Sequence, residues 1–151
     1  MSKKFGDTLD KATSDFIEEF GRLIAEGGLP PSIGRVMGLL VISDPGKLSA
    51  EEIGTKLKLS VGSVSAAISL LSRFGYVKRV TVPGERRFYY EFEARSWQNT
   101  IDLRLAQVKN AITVADKGLE IRKNDSRLLG MRNLYMQIHD AVKGIRVKTT
   151  L

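Results

Sequence analysis

Between residues 48 and 93 the apolar residues change from a helical repeat to strict alternation, and few folds accommodate that switch in so short a span. The stretch reads LSAEEIGTKLKLSVGSVSAAISLLSRFGYVKRVTVPGERRFYYEFE. Leu48 is predicted as a single extended residue at most. Ser49 followed by Glu52 has the spacing of a capping box and predicts a helix over residues 50–58, with Ile53 and Leu57 inward. A second helix is capped by Ser60 and stopped at Gly75, where glycine accepts the left-handed backbone of a helix end. Val61, Val64, Ile68 and Leu71 form its apolar side. From Tyr76 to Val82 the period becomes two and β-branched residues dominate, and Phe88 to Glu93 makes a second, aromatic strand. The tip VPGERR joins them, with Pro83 and Gly84 supplying the turn.

Two helices joined by a turn and followed by a basic hairpin is the layout of a winged helix-turn-helix. Opposite its apolar side, the second helix carries Gly62, Ser63, Ala66, Ser69 and Arg73, with Ser65 nearby. Such a face is either a solvated surface or a recognition helix whose small residues let its backbone approach a major groove. In the second case Ser60 and the helix N-terminus face phosphate, and serine hydroxyls donate to or accept from base edges. At the hairpin, Arg86 and Arg87 stand by the tip and Lys78 and Arg79 at the base. An ordinary charged hairpin would look the same. Following that helix pair, a wing that places arginine in a narrow, electronegative minor groove is the better account. From residue 48 to residue 95 there are eight Lys and Arg against five Glu, a net of +3.

Toward the N-terminus, Asp7 or Thr8 is expected to cap a helix carrying Leu9, Phe16, Phe20, Leu23 and Ile24, ended by Gly27 and Gly28. Pro30 and Pro31 suit the opening of another, and residues 33–42 are so uniformly apolar that this helix should be buried. Beyond the hairpin, Ile101, Leu105, Val108, Ile112, Ala115 and Leu119 alternate spacings of four and three. After a break at Asn124 and Asp125, Leu128, Met131, Tyr135, Ile138, Val142 and Ile145 do the same. Either the two seams satisfy each other in a helical hairpin, or a second copy of the chain covers them. The expected class is therefore mainly α with a small β-hairpin wing: N-terminal helices over residues 1–43, a winged helix-turn-helix over 44–95, and dimerisation helices over 96–151.

Composition removes several functions. With no cysteine and a single histidine, His139, thiol chemistry, disulfides and His-rich metal sites are excluded, and neither cofactor nor metal is expected. The acid pairs Glu18/Glu19 and Glu51/Glu52 are adjacent in sequence, so neither shares a helix face, and no catalytic constellation emerges. An excess of 24 Lys and Arg over 17 Asp and Glu, +7 overall, favours a polyanionic partner. The start MSKKFGDTLDKA lacks an apolar core of signal-peptide length and residues 38–42 are too few to cross a bilayer, so a cytoplasmic protein without membrane association is expected.

The order helix, helix, SAEEIGTKLKLSVGSVSAAISLLSRFGYVKRVTVPGERRFYYEFEARSW, then two long helices, resembles the MarR-type winged helix-turn-helix regulators, and among them the GbsR branch of bacterial and archaeal repressors. VPGERRFYYE followed by Trp97 is the most specific part, and the likeness covers about residues 10–119. It implies a homodimer built from the terminal helices, a recognition helix over 60–74, and wing roles for Arg86 and Arg87. Where relatives often carry Asp-x-Arg at the wing, this chain has Gly84, Glu85 and Arg86, so Glu85 is the acid available to brace an arginine and which arginine contacts DNA is left open. Some relatives hold a small effector in a crevice, for which Phe16, Phe20, Phe74, Tyr76 and Trp97 are the aromatic candidates here, each equally at home in a core.

The leading expectation is a sequence-specific double-stranded DNA-binding transcriptional regulator, a repressor, acting as a homodimer on a pseudo-palindromic operator. Its rival is a winged-helix module for protein–protein contact without specific DNA binding. The small-residue face argues against the rival, because protein interfaces favour aromatic anchors.

Overall fold

A computed structural model describes residues 8–148, and the chain divides into two units, Met1–Ala94 and Arg95–Leu151. In the first, helix α1 spans Lys11–Glu26 and is capped by Asp10, whose carboxylate accepts from the Thr13 amide at 2.8 Å. That hydrogen bond holds the Asp10 pKa below its ordinary value. The helix therefore starts later than expected: Asp7 lies outside the described residues, and Leu9 precedes the helix, packed against the core. Helix α2, Pro31–Ile42, buries Ile33, Val36, Met37, Leu39 and Leu40, as its continuous apolarity requires. It crosses α1 at glycines. A Cβ added to Gly34 would lie 2.8 Å from the Gly21 Cα, and one added to Gly38 would lie 2.9 Å from the Phe20 Cβ. Glu18 meets Arg35 Nε at 2.8 Å, and the same guanidinium donates to the Leu57 carbonyl at 3.1 Å.

Strand β1 (Lys47–Ser49), helix α3 (Ala50–Leu57), helix α4 (Val61–Arg73) and strands β2 (Val77–Thr81) and β3 (Phe88–Phe92) complete this unit. The sheet is antiparallel and three-stranded in the order β1-β3-β2, with Leu48 opposite Tyr90 and Lys78 opposite Glu91. Leu48 is thus the centre of a strand, not an isolated extended residue. Its pairing partner lies so far along the chain that local spacing carries no sign of it. Ile53 and Leu57 from α3, with Val64, Ala67, Ile68 and Leu71 from α4, join the α2 residues in one core. Val61 departs from expectation: it is 88% exposed, because the inward stripe of α4 begins a turn later, at Val64.

In the second unit, helices α5 (Trp97–Ile121) and α6 (Ser126–Val142) pack as an antiparallel hairpin. Val108 and Ala115 are buried, Gly118 lies under Leu128, and Arg132 reaches Asp116 at 2.6 Å. The hairpin covers its seams only in part: Ile138 and Ile145 of the second seam are exposed, as are Val114, Ile121 and Leu134 outside the seams, and no α6 residue is fully buried. Asn124 takes a left-handed conformation at the break, and Asp125 caps α6 by accepting from the Arg127 amide at 3.0 Å. The Arg127 guanidinium, at 2.8 Å, together with these amides lowers the Asp125 pKa to about 2.

A carboxylate depressed on folding contributes stability above its unfolded pKa and loses it as pH falls through its folded pKa. Between about pH 4 and pH 2, Asp125→Asn should therefore show a shallower acid loss of α5–α6 stability than the parent, read from urea melts followed by circular dichroism. Identical acid slopes would remove Asp125 from that role.

Candidate nucleic-acid interface

The helix-turn-helix is fixed by local hydrogen bonds. Ser49 Oγ accepts from the Glu52 amide at 3.2 Å while Glu52 Oε2 accepts from the Ser49 amide at 2.7 Å, completing the capping box that starts α3. At the other end Lys58 turns left-handed, with φ of 53°, and the Leu59 amide donates to the Gly54 carbonyl at 3.0 Å. The chain is thereby redirected into α4 within three residues, Lys58, Leu59 and Ser60.

Ser60 caps α4 by accepting from the Ser63 amide at 3.2 Å, and its hydroxyl donates to the Ser63 hydroxyl at 2.9 Å. Gly62, Ser65, Ala66, Ser69 and Arg73 are exposed along one flank, with Ser63 half-buried among them. Nothing stands within 4 Å of a Cβ added to Gly62, so the helix start is open to close approach. The helix has no acidic residue. Ser65 and Ser69 make no side-chain hydrogen bond among the described residues, and both are exposed. Arg73 places its guanidinium carbon 5.4 Å from the Phe74 ring centre, at the helix end.

The hairpin separates its cations sharply. Lys78 sits between Glu91 at 3.0 Å and Glu93 at 3.1 Å, and the hydrogen bond it donates to Glu91, then the one it donates to Glu93, raises its pKa. Two carboxylates thus neutralise that ammonium. Arg79 lies 4.1 Å above the centre of the half-exposed Phe88 ring. At the tip, Gly84 adopts φ of 83°, a backbone that favours glycine, and the Glu85 amide donates to the Val82 carbonyl at 3.0 Å. The Glu85 carboxylate accepts from the Tyr89 hydroxyl, raising the tyrosine pKa, and lies 3.5 Å from Arg87 Nε. Arg86 is exposed with no ion pair among the described residues.

Among the aromatic crevice candidates, the Phe16 and Phe20 rings stand 5.7 Å apart and pack on the first unit's core, as does Tyr76. Phe74 ends α4, and Trp97 opens α5 in the second unit. Sequence reasoning missed Val61 as a surface group because the 61, 64, 68, 71 spacing is helical; its place as the first helical residue, before the core begins, is the signal against that reading. It also missed the stacking partner Phe88, which strand alternation pairs with Thr81. Among the described residues no cluster of three or more imidazoles and carboxylates is arranged for a metal, and no helix is long and apolar enough to cross a membrane.

No family model matches the chain. It is similar to the HTH-type transcriptional regulator MmpR5 of Mycobacterium tuberculosis (strain ATCC 25618 / H37Rv), 29% identical over 133 residues that cover 85% of this chain and 81% of that protein. A solved crystal structure of a transcriptional regulator matches with a TM-score of 0.67 at 28% identity, over 87% of this chain and 93% of the other. A weaker likeness, with a TM-score of 0.43 at 19% identity over 88% of this chain and 89% of the other, is to a MarR family transcriptional regulator from Streptomyces coelicolor. The architecture, mainly helical with a small three-stranded antiparallel sheet, is the winged-helix fold of such regulators.

Proposed function

We propose that the chain is a sequence-specific double-stranded DNA-binding regulator of the MarR type and GbsR-like branch, a repressor with no enzymatic activity, acting in the cytoplasm as a homodimer. The observation that carries this reading is the acid-free, small-residue flank of α4, open at Gly62 and set beside a wing whose Arg86 is unpaired. A helix with that flank brings neither bulk nor acid of its own to a major groove. Ser65, Ser69 and the open N-terminus address base edges, Arg73 addresses phosphate, and Arg86 enters the neighbouring minor groove. Lys78 contributes little, since binding phosphate would first cost it two carboxylate partners.

The regions 1–43, 44–95 and 96–151 then act as N-terminal layer, reader and dimer arm. The exposed Val114, Ile121 and Leu134 support a second copy on the α5–α6 hairpin. Two recognition helices set by that dimer would read half-sites about one helical turn, roughly 34 Å, apart. Phe16, Phe20, Phe74 and Tyr76 of the first unit remain candidates for an effector site.

Duplex affinity measured across a salt series, with the oligomeric state followed by sedimentation, tests the reading. Affinity should fall on the order of a hundredfold between about 50 and 200 mM salt, the result of releasing counterions from several phosphates. Salt-independent affinity, or a monomer at micromolar concentration, would contradict it.

A further inference from the structure

Val61 is the most exposed large hydrophobic residue among the described ones, at 88%. A lone exposed valine is unremarkable on most surfaces. Here it stands at the first position of α4, immediately after the Ser60 cap, where it supports no core and β-branching adds nothing to helix propensity. The residues around it narrow its use. The Ser60 hydroxyl accepts from the Ser63 amide and donates to the Ser63 hydroxyl, so it is already engaged. Gly62 leaves open space beside it. Ser65 and Ser69, one and two turns on, line with Val61 a shared surface groove of about 800 Å³. The leading end of the proposed reading helix thus presents two stiff methyl groups beside the occupied Ser60 hydroxyl. On the major-groove edge of the four DNA bases the one apolar group is the C5 methyl of thymine, and 5-methylcytosine displays the same group.

We propose that Val61 is a specificity-determining residue that packs its methyl groups against the C5 methyl of a pyrimidine, thymine or 5-methylcytosine, in each half-site. The assignment rests on the DNA-binding reading above. Val61 costs little conformational entropy on binding because its χ1 is already restricted. Ser65 and Ser69 supply hydrogen bonds to the adjoining bases from the same groove.

The test uses the full chain and the duplex it enriches from random sequence. That duplex is resynthesised with uracil for thymine, which removes only the methyl, and separately with 5-methylcytosine for cytosine. Affinities are measured for the parent and for Val61→Ala, with matching melting curves confirming that the exposed side chain is not needed for folding. Losing one methyl contact in each half-site should weaken parent binding by roughly threefold to tenfold. Val61→Ala should bind the thymine duplex more weakly by a similar factor and show little further loss with uracil. A parent insensitive to uracil but strengthened by cytosine methylation, with the gain absent in Val61→Ala, identifies 5-methylcytosine as the source. Parent and variant responding equally to both changes, or neither responding, overturns the assignment and leaves the DNA-binding reading intact. A pool from which no duplex is enriched overturns both.

Discussion

Replacing Gly34 by valine is expected to destabilise the Met1–Ala94 unit by about 3 kcal/mol or more, seen as a lower urea midpoint for its unfolding. The cause is a helix crossing with no room for a side chain. A Cβ at Gly34 would meet the Gly21 Cα and the Ile24 Cβ at 2.8 Å each and the Phe20 carbonyl oxygen at 2.9 Å. Two of those three are backbone atoms, so relief requires moving α1 and not merely turning a side chain. Alanine alone would recover about 1 kcal/mol of helix propensity and still lose more to the clash, giving a net cost on the order of 1 to 2 kcal/mol. Gly62→Ala is the control. It lies in a helix of the same unit with nothing within 4 Å of its added Cβ, and it should leave stability unchanged or slightly raised. Equal effects at the two glycines would mean that the α1–α2 approach is not the constraint.

The second large effect is expected at the wing. Arg86→Ala should weaken duplex binding by roughly tenfold to a hundredfold in a dimer that uses two wings, with a shallower salt dependence and an unchanged melting temperature. The side chain is exposed and unpaired among the described residues, so its removal takes no contact from the fold. Arg87→Ala should cost less, because Arg87 already spends part of its charge on Glu85, which the Tyr89 hydroxyl holds in place. On the proposed reading both arginines address the polyanion, and Arg87 would first have to give up a carboxylate. A larger loss for Arg87→Ala would reverse that division of roles.

Much of the first unit was legible in the sequence because its signals are local. Ser49 with Glu52, Ser60, and the Pro30–Pro31 pair each announce a helix start within one turn, and the change of period after Tyr76 announces the hairpin. What was not legible depends on distant partners. Strand β1 exists because Leu48 finds Tyr90 across the sheet, and a three-residue segment has no periodicity of its own to declare it. Val61 belongs by spacing to the stripe of Val64, Ile68 and Leu71, but its turn of helix projects beyond the core that the α2 residues provide. The acid that braces a wing arginine was visible as Glu85, while the choice of Arg87 over Arg86 required the folded tip. On α5 and α6 the sequence displayed seams without saying which seam covers which. The hairpin answers part of that and leaves Val114, Ile121 and Leu134 for a further surface.

The central claim is that this chain reads duplex sequence as a symmetric pair. Binding selection from random duplexes tests it most directly: the account predicts enrichment of an inverted repeat with half-site centres about one helical turn apart. A pool that remains random after successive rounds, at salt low enough for binding, would contradict it.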